Sequence, residues 1–555
     1  MVAESLVESI RVRDAASCRA WLARLSAVDG SRLSSVDRLL RNLSRSQEAP
    51  DLVLEIVEQA RPVHLEELSG VFDRLDAGAF PLAEPDRQRF VTAVASLELG
   101  RDLYKQLHAA LVDDGDAAAH ARIPGAAASL RAVMPLARAL DYQARLLLAL
   151  QRLKVIVEPN DWDELCTLAR KIRASTFMDV AVPDDVPLLR SMTARALFVC
   201  PLLVMLARPE TRTPAEFAVI SRLARRWAGR VGFRLEDAPL AHDGKYGPST
   251  SLTSGHWVRL VTHRLQRRLE ERRRELDKLG PKSVPKLPRG LSLDQTRALL
   301  DDLQQLWVAP RTAVSAPDIR LGEMQLRFGF PQLPAPPKSP GRSGKPMSWS
   351  SAASRAYIYG RFEQNTIIRM ALGDQAAGDD PLLAWASGAL PATWVSIERQ
   401  QAVFEFSASA GKVELGGLVM VVAPPVDTSA AESLRHPESE PSPKRMFGRV
   451  VSMSQRVARD PRAAPIQRVG VTVWSSRPSL VGLRVGDDPF FHDAFLLPAD
   501  PAGGEPTCVI APAGSFRSPD HVTMREAIRD LRVHFDALAD RGPGYDRVLI
   551  SRPSS

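Results

Sequence analysis

Apolar residues recur at helical spacing from the N-terminus to about Pro310, and the rhythm changes after Pro391. Cys18, Trp21, Leu22 and Leu25 form one stripe, Leu33, Val36, Leu40 and Leu43 a second, and Leu52, Val53, Ile56 and Val57 a third. Such spacing predicts short amphipathic helices, with Ser34 and Asp51 placed to cap, that must pack on one another because each buries only one face. A longer helix is expected after Pro85 through Phe90, Val94, Leu97, Leu103 and Leu107, then an exposed loop from Asp113 to Pro124. Helical patterning resumes from Leu130 to Val157. Pro159, Asn160 and Asp161 stop it and open the next helix, with Trp162, Leu165, Leu168 and Ile172. Pro183 opens an apolar segment ending near Arg208, and Thr213 and Pro214 open another with Phe217, Ile220, Leu223, Ala224 and Trp227. A polar loop from Asp237 to Gly255 precedes a basic helix at residues 256–279, ended by Gly280 and Pro281, and Leu293 to Trp307 is the last helix expected.

Beyond it the apolar residues alternate or run in bursts: Glu323 to Phe330, Trp394 to Ile397, Phe404 to Phe406, Leu418 to Val422, Phe447 to Val451 and Val469 to Trp474. Short Val- and Phe-rich runs separated by Gly, Pro and Ser predict antiparallel strands or a small barrel. Strands are expected to continue through Leu480 to Val485, Ala494 to Leu497, Thr507 to Ala511 and Val522 to Met524. A short helix, Arg525 to Leu538, and a last strand, Arg547 to Ile550, follow. Pro331 to Ser351 reads as a linker and Pro424 to Lys444 as a loop, while Tyr357 to Leu372 fits strand or helix equally. The expected fold is multidomain α plus β, an N-terminal all-α bundle or array followed by a C-terminal antiparallel β-barrel-like region. The expected segments are 1–120 and 121–315 for two helical subdomains, 316–390 for a strand with the linker, and 391–555 for the β-rich part.

At 555 residues, with 45% hydrophobic and 25% charged residues, the chain can bury several ordinary cores without covalent staples. Its four cysteines, Cys18, Cys166, Cys200 and Cys508, are far apart and have no metal-finger spacing, which predicts buried thiols in a reducing cytoplasm. The first twelve residues carry Glu4, Glu8 and Arg11 and hold no apolar signal core, and the longest uncharged apolar run, Ala196 to Ala207, falls short of the roughly 20 residues a membrane span needs. The net charge of +8 is concentrated: Arg259 to Arg289 holds eleven Lys or Arg against four Asp or Glu. With 62 Arg to 11 Lys overall, any arginine motif is easily matched by chance.

Motifs of hydrolases, metalloenzymes and dinucleotide-binding enzymes are absent, which places the chain outside the common catalytic classes. Ser339 to Pro346 contains Gly344 and Lys345 but lacks the other residues of a phosphate loop. His492 and Asp493 have no nucleophile motif beside them. The basic helix carries Arg264, Arg267, Arg268, Arg272, Arg273 and Arg274 across an apolar stripe of Val258, Val261, Leu265, Leu269, Leu276 and Leu279. Its middle must face solvent or an acidic surface, and the lack of interleaved aromatics argues against a reader of single-stranded nucleic acid.

Three stretches carry a resemblance: Trp394 to Ile397 with Phe404 to Phe406 and Val413 to Val422; Phe447 to Val451 with Arg468 to Val473; and Phe516 to Met524 with Tyr545 to Ile550. With the helices around Trp162 to Ala174 and Ala194 to Trp227, they resemble bacterial proteins that join a helical domain to PilZ-like β domains. The resemblance implies reception of cyclic di-GMP through an R-x-x-x-R element and a downstream [D/N]-x-S-x-x-G, in which forked guanidiniums hold phosphates and stack on guanine. Arg445 and Arg449 fit the first element, but so do Arg41 with Arg45, Arg222 with Arg226, and Arg264 with Arg268. Glu398 to Val403 stands where the second element belongs and has neither its Ser nor its Gly. Asp427 to Glu432 comes near it but ends in Glu.

The expectation is a non-catalytic cytoplasmic regulatory or adaptor protein that works through a protein partner, with no metal or other cofactor. Two alternatives stay open. In one, Arg445 and Arg449 hold cyclic di-GMP in a non-standard way. In the other, the basic helix at 256–279 associates with nucleic acid.

Overall fold

The computed structural model describes residues 12–25, 31–77, 80–113, 127–174, 177–181, 192–237, 247–253, 256–278, 290–309, 312–313, 322–329, 390–398, 401–407, 413–422, 445–457, 465–474, 478–485, 491–499, 506–516, 521–526 and 529–551. The chain divides into two units, Met1–Ser315 with Ser454–Ala464, and Ala316–Met453 with Pro465–Ser555. The stretches read as the loop 113–124, the linker 331–351, the ambiguous segment 357–372 and the loop 424–444 lie wholly or almost wholly outside the described residues.

Local chemistry starts the helices of the first unit. Asp14 accepts the Ser17 N–H at 2.7 Å and opens α1 (Ala15–Arg24) with a capping box. Helices α2 (Ser31–Leu43), α3 (Pro50–Asp76), α4 (Glu84–Asp113), α5 (Ala127–Arg152), α6 (Pro159–Ala174), α7 (Ala194–Leu206) and α8 (Pro214–Trp227) follow. Cys18, Leu22, Val36, Leu40, Val53, Ile56 and Val57, taken from the three expected stripes, are all buried in one core. The third stripe belongs to a longer helix than the pattern suggests, because α3 runs on through Pro62. The apolar run in α7 is interior, with Phe198, Leu202 and Leu203 at 0% exposure, and among the described residues no helix is long and apolar enough to cross a membrane.

The pattern did not announce the small four-stranded sheet that follows α8, made of β1 (Gly232–Glu236), β2 (Ser249–Thr253), β3 (His256–Val261) and β4 (Thr312–Ala313) in the order β1-β3-β2-β4. Two expectations are corrected by it. The loop expected from Asp237 to Gly255 contains β2, and the helix expected at 256–279 begins at His263, as α9 (His263–Asp277). Trp257, Val258, Leu260 and Val261 are strand formers, and β3 pairs on one side with β1 and on the other with β2, so its backbone is satisfied as a central strand. Val258 and Val261 therefore do not share a face with Leu265, Leu269 and Leu276, which alone anchor α9. Helix α10 (Leu293–Trp307) closes the helical series and buries Trp307, whose Nε1 donates to the Leu203 carbonyl at 2.7 Å.

The second unit contains two closed six-stranded barrels. The first uses β5 (Gly322–Phe328), β6 (Leu390–Glu398), β7 (Gln401–Ser407), β8 (Leu418–Val422), β9 (Arg445–Arg456) and β10 (Ile466–Val473) in the order β10-β7-β6-β5-β8-β9. The second uses β11 (Ser479–Val485), β12 (His492–Leu497), β13 (Cys508–Pro512), β14 (His521–Glu526), β15 (Arg529–Gly542) and β16 (Tyr545–Ser551) in the order β11-β12-β13-β16-β15-β14. The helix expected over Arg525 to Leu538 is a hairpin of β14 and β15. Val533 and Phe535 point into the barrel while Arg532 and Asp536 stay out of its core, the period-2 pattern of a strand, and register shifts between Phe535 and Ala537 and between Leu538 and Asp540 blur that alternation in the sequence.

Candidate functional site

Arg445 and Arg449 lie on β9, opposite Val422 and Leu418 of β8. The Arg445 side chain is outside the described residues. Arg449 donates from Nη1 to Asp540 Oδ1 of β15 at 2.8 Å, and the other oxygen of Asp540 accepts the Tyr545 hydroxyl at 3.3 Å. Beside this contact the two barrels share a core of Leu418, Met420, Phe447 and Trp474 with Phe495, Ile510 and Tyr545, in which the Phe447 and Phe495 rings lie 4.9 Å apart. Arg449 thus ties one barrel to the other. The ion pair is partly open to solvent, so Arg449→Ala is expected to cost no more than about 1 kcal/mol in a denaturant titration. The place of the second recognition element falls where β6 and β7 pair, with Glu398 opposite Gln401. The near miss at Asp427 to Glu432 lies outside the described residues, as does Ser339 to Pro346. His492 and Asp493 open β12, paired across to Leu483 and Gly482.

On α9 three of the six arginines are paired with nearby carboxylates. Arg268 pairs with Glu271, Arg272 with Glu275, and Arg273 with both Asp277 and Asp301 of α10. Arg274 donates to the Glu270 carbonyl at 3.3 Å, and Arg264 and Arg267 are exposed. Carboxylates three or four residues away offset part of the charge of this helix. Reversing Arg264 and Arg267 to Glu is accordingly expected to move the thermal midpoint little, a measurement that separates surface charge from packing.

The helical unit holds a different concentration of charge. A cleft of about 700 Å³ lies among α3, α4, α5 and α8, with an apolar floor that includes Leu65, Leu68, Phe72, Leu97, Leu148 and Phe217. Its rim carries five arginines against a single carboxylate: Arg145 and Arg152 from α5, Arg222, Arg225 and Arg226 from α8, and Asp76 from α3. Spacings of seven on α5 and of three and four on α8 put each set on one helix face. The two walls differ in how they are neutralised. Arg152 reaches Asp73 at 2.7 Å and Asp76 at 2.9 Å, and Arg145 Nε reaches Asp141 at 3.0 Å. Arg222, Arg225 and Arg226 are exposed and make no ion pair among the described residues. Arg145 Nη2 and Ser221 Oγ, one on each wall, are buried atoms with no hydrogen-bond partner among the described residues. Leaving a buried polar group unpaired costs about 1–3 kcal/mol, which a bound anion or ordered solvent removes.

Arg145 is held in place from beneath. Asp141 accepts from Arg145 and, at 2.6 Å, from Arg61, whose side chain is 2% exposed. Burial by itself would raise the Asp141 carboxyl; Arg145 and Arg61 outweigh it and hold it at about 2. Close by, Asp37, His64, Ser96 and Tyr142 form a second buried network, with Ser96 donating to Asp37 at 2.6 Å and His64 Nε2 lying 2.6 Å from Ser96 Oγ. These are the residue types of a hydrolytic triad. Here, though, serine and aspartate both meet Nε2 of the ring, and Nδ1 faces the Tyr142 hydroxyl at 2.8 Å. With all four side chains closed into the core, the network ties α2, α3, α4 and α5 together and presents no nucleophile. The four cysteines are likewise buried and unpaired by disulfides, and burial pushes the thiols of Cys166 and Cys200 up to about 12, far from a reactive thiolate.

The charge pattern of α8 carried the signal for the cleft. Arg222, Arg225 and Arg226 have no carboxylate three or four residues away, unlike every arginine of α9 except Arg264, yet the match of Arg222 and Arg226 to R-x-x-x-R was indistinguishable from chance. No curated protein and no solved structure matches the chain. Residues 16–238, which include every residue of the cleft, match the family model described as cyclic-di-GMP receptor FimW, N-terminal domain. Residues 481–551, nearly the whole second barrel, match the model described as FimW C-terminal beta-barrel domain. With its helical region and its terminal barrel both matched, the chain belongs to the family of the cyclic-di-GMP receptor FimW.

Proposed function

We propose that this chain is a cytoplasmic receptor for cyclic di-GMP that acts as a regulator rather than a catalyst and passes the signal to a protein partner. The observation that carries the reading is the joint match of the helical region and the terminal barrel to a family described as a cyclic-di-GMP receptor. The arginine-rich rim of the cleft supports it, since guanidiniums recognise phosphates by paired charge-assisted hydrogen bonds and stack on flat bases. Calorimetric titration of cyclic di-GMP into the full-length protein is the test, with cyclic di-AMP as the comparison. Saturable binding selective for the guanine nucleotide is expected, and a flat titration of folded protein would overturn the reading. Chromatography of the nucleotide after prolonged incubation should recover it unchanged; a linear dinucleotide product would show an enzyme instead.

A further inference from the structure

We infer that cyclic di-GMP is held in the cleft of the helical unit, its phosphates taken by Arg222 and Arg226 of α8 across from Arg145 of α5, and not by the arginines of the first barrel. The inference rests on the receptor reading above and assigns its site. Four observations converge on it. The cleft volume of about 700 Å³ lies inside the range of roughly 300–1,000 Å³ that small-ligand pockets occupy. A cyclic dinucleotide carries two phosphates and two flat bases, so it needs cations on opposite sides and apolar surface between them, and the cleft offers arginines on α5 and α8 over a floor containing Phe72 and Phe217. The arginines of α8 are exposed and uncompensated among the described residues, whereas Arg152 is already held by Asp73 and Asp76 and Arg449 by Asp540. Finally, Arg145 Nη2 and Ser221 Oγ are buried donors without a partner among the described residues, one on each wall.

Arg145 has a preset geometry in this arrangement. Asp141 binds its Nε and leaves the far nitrogen, Nη2, for the ligand. Ser221 sits one residue before Arg222 and four before Arg225, so its hydroxyl and the α8 guanidiniums meet the same guest.

The test is cyclic di-GMP binding by the full-length protein and three variants: Arg222→Glu with Arg226→Glu, Arg222→Ala with Arg226→Ala, and Arg449→Ala. Both α8 residues are exposed, so circular dichroism and the thermal midpoint should be those of the unmodified chain. The charge-reversed variant is expected to bind at least about 100-fold more weakly, since two charge-assisted contacts become repulsions, and the alanine pair about 10-fold more weakly or worse. Arg449→Ala should bind as the unmodified protein does. Should the reversed variant fail to fold, the alanine pair decides. If the unmodified protein binds and both α8 variants bind equally well, or if only Arg449→Ala loses binding, the cleft assignment is overturned and the receptor reading stands. If the unmodified protein binds no cyclic di-GMP, the receptor reading falls, and the assignment falls with it.

Discussion

Replacing Asp141 by Ala is expected to remove about 3–5 kcal/mol of stability, measurable as a lowered midpoint in chemical denaturation. The carboxylate is 4% exposed and bridges Arg61, itself 2% exposed, to Arg145. Removing it takes from the buried Arg61 guanidinium the carboxylate 2.6 Å away, which costs far more than the intact pair contributes. The same residue sets an acid dependence. The folded carboxyl is lowered to about 2 from an ordinary value of 3.8, so the folded state gains from the charged form. That stabilisation is fully present above pH ~4 and is lost as pH falls toward 2, to an extent on the order of 2 kcal/mol. A stability profile between pH 5 and 2 should therefore fall less steeply in Asp141→Asn than in the unmodified protein; parallel profiles would remove Asp141 as the titrating group. Arg145 would lose its tether in Asp141→Ala, so nucleotide binding by that variant should weaken alongside stability.

Gly100→Ala is expected to destabilise by about 1–3 kcal/mol, against the ordinary rule for helices. In an exposed helix the exchange stabilises by up to about 1 kcal/mol, because Ala restricts the unfolded backbone and Gly does not. Gly100 is inside α4 where that helix packs on α5. A Cβ built there stands 2.6 Å from Cζ and 2.9 Å from Cδ1 of Tyr142, and closer still to Cε1. The ring cannot step aside cheaply, since Tyr142 is 1% exposed and its hydroxyl meets His64 at 2.8 Å. Overpacking outweighs propensity, and thermal denaturation gives the sign directly. A raised midpoint would mean that the α4 to α5 contact is looser than the structure has it.

Much of the architecture was legible from periodicity. Stripes such as Leu33, Val36, Leu40 and Leu43 read as helix faces because a helix returns to the same side every 3.6 residues, and they are buried. Alternating runs such as Phe404 to Phe406 read as strands for the matching reason, although the number of barrels did not follow from them. Periodicity failed where two rhythms overlap in a short window. Residues 256–261 carry enough apolar positions to extend the stripe of α9 backwards, and only the pairing of β3 with β1 and β2 decides for strand. Between Arg525 and Leu538 the irregular register of β15 hides the alternation in the same way.

The candidate site was less legible, and the arginine pairs 41/45, 222/226, 264/268 and 445/449, all of which fit R-x-x-x-R, show why. Arg41 leans on Asp37, Arg268 on Glu271 and Arg449 on Asp540, while Arg222 and Arg226 open into the cleft. Only the second of these neutralising contacts stays on the same helix face as its motif and also stands in a carboxylate-rich sequence. The third is made by a residue 91 positions away.

By itself, then, the sequence determined the helical first part and the β-rich second part, the burial of the four thiols, and the interior place of the apolar run in α7. Each of those follows from which residues a local backbone period puts on one face and from the gain in taking apolar surface out of water. Tertiary structure alone decided which arginines remain available. Charge is cancelled across space rather than along the chain: Asp73 and Asp76 reach Arg152 from another helix, Asp540 reaches Arg449 from another barrel, and nothing reaches the arginines of α8 among the described residues.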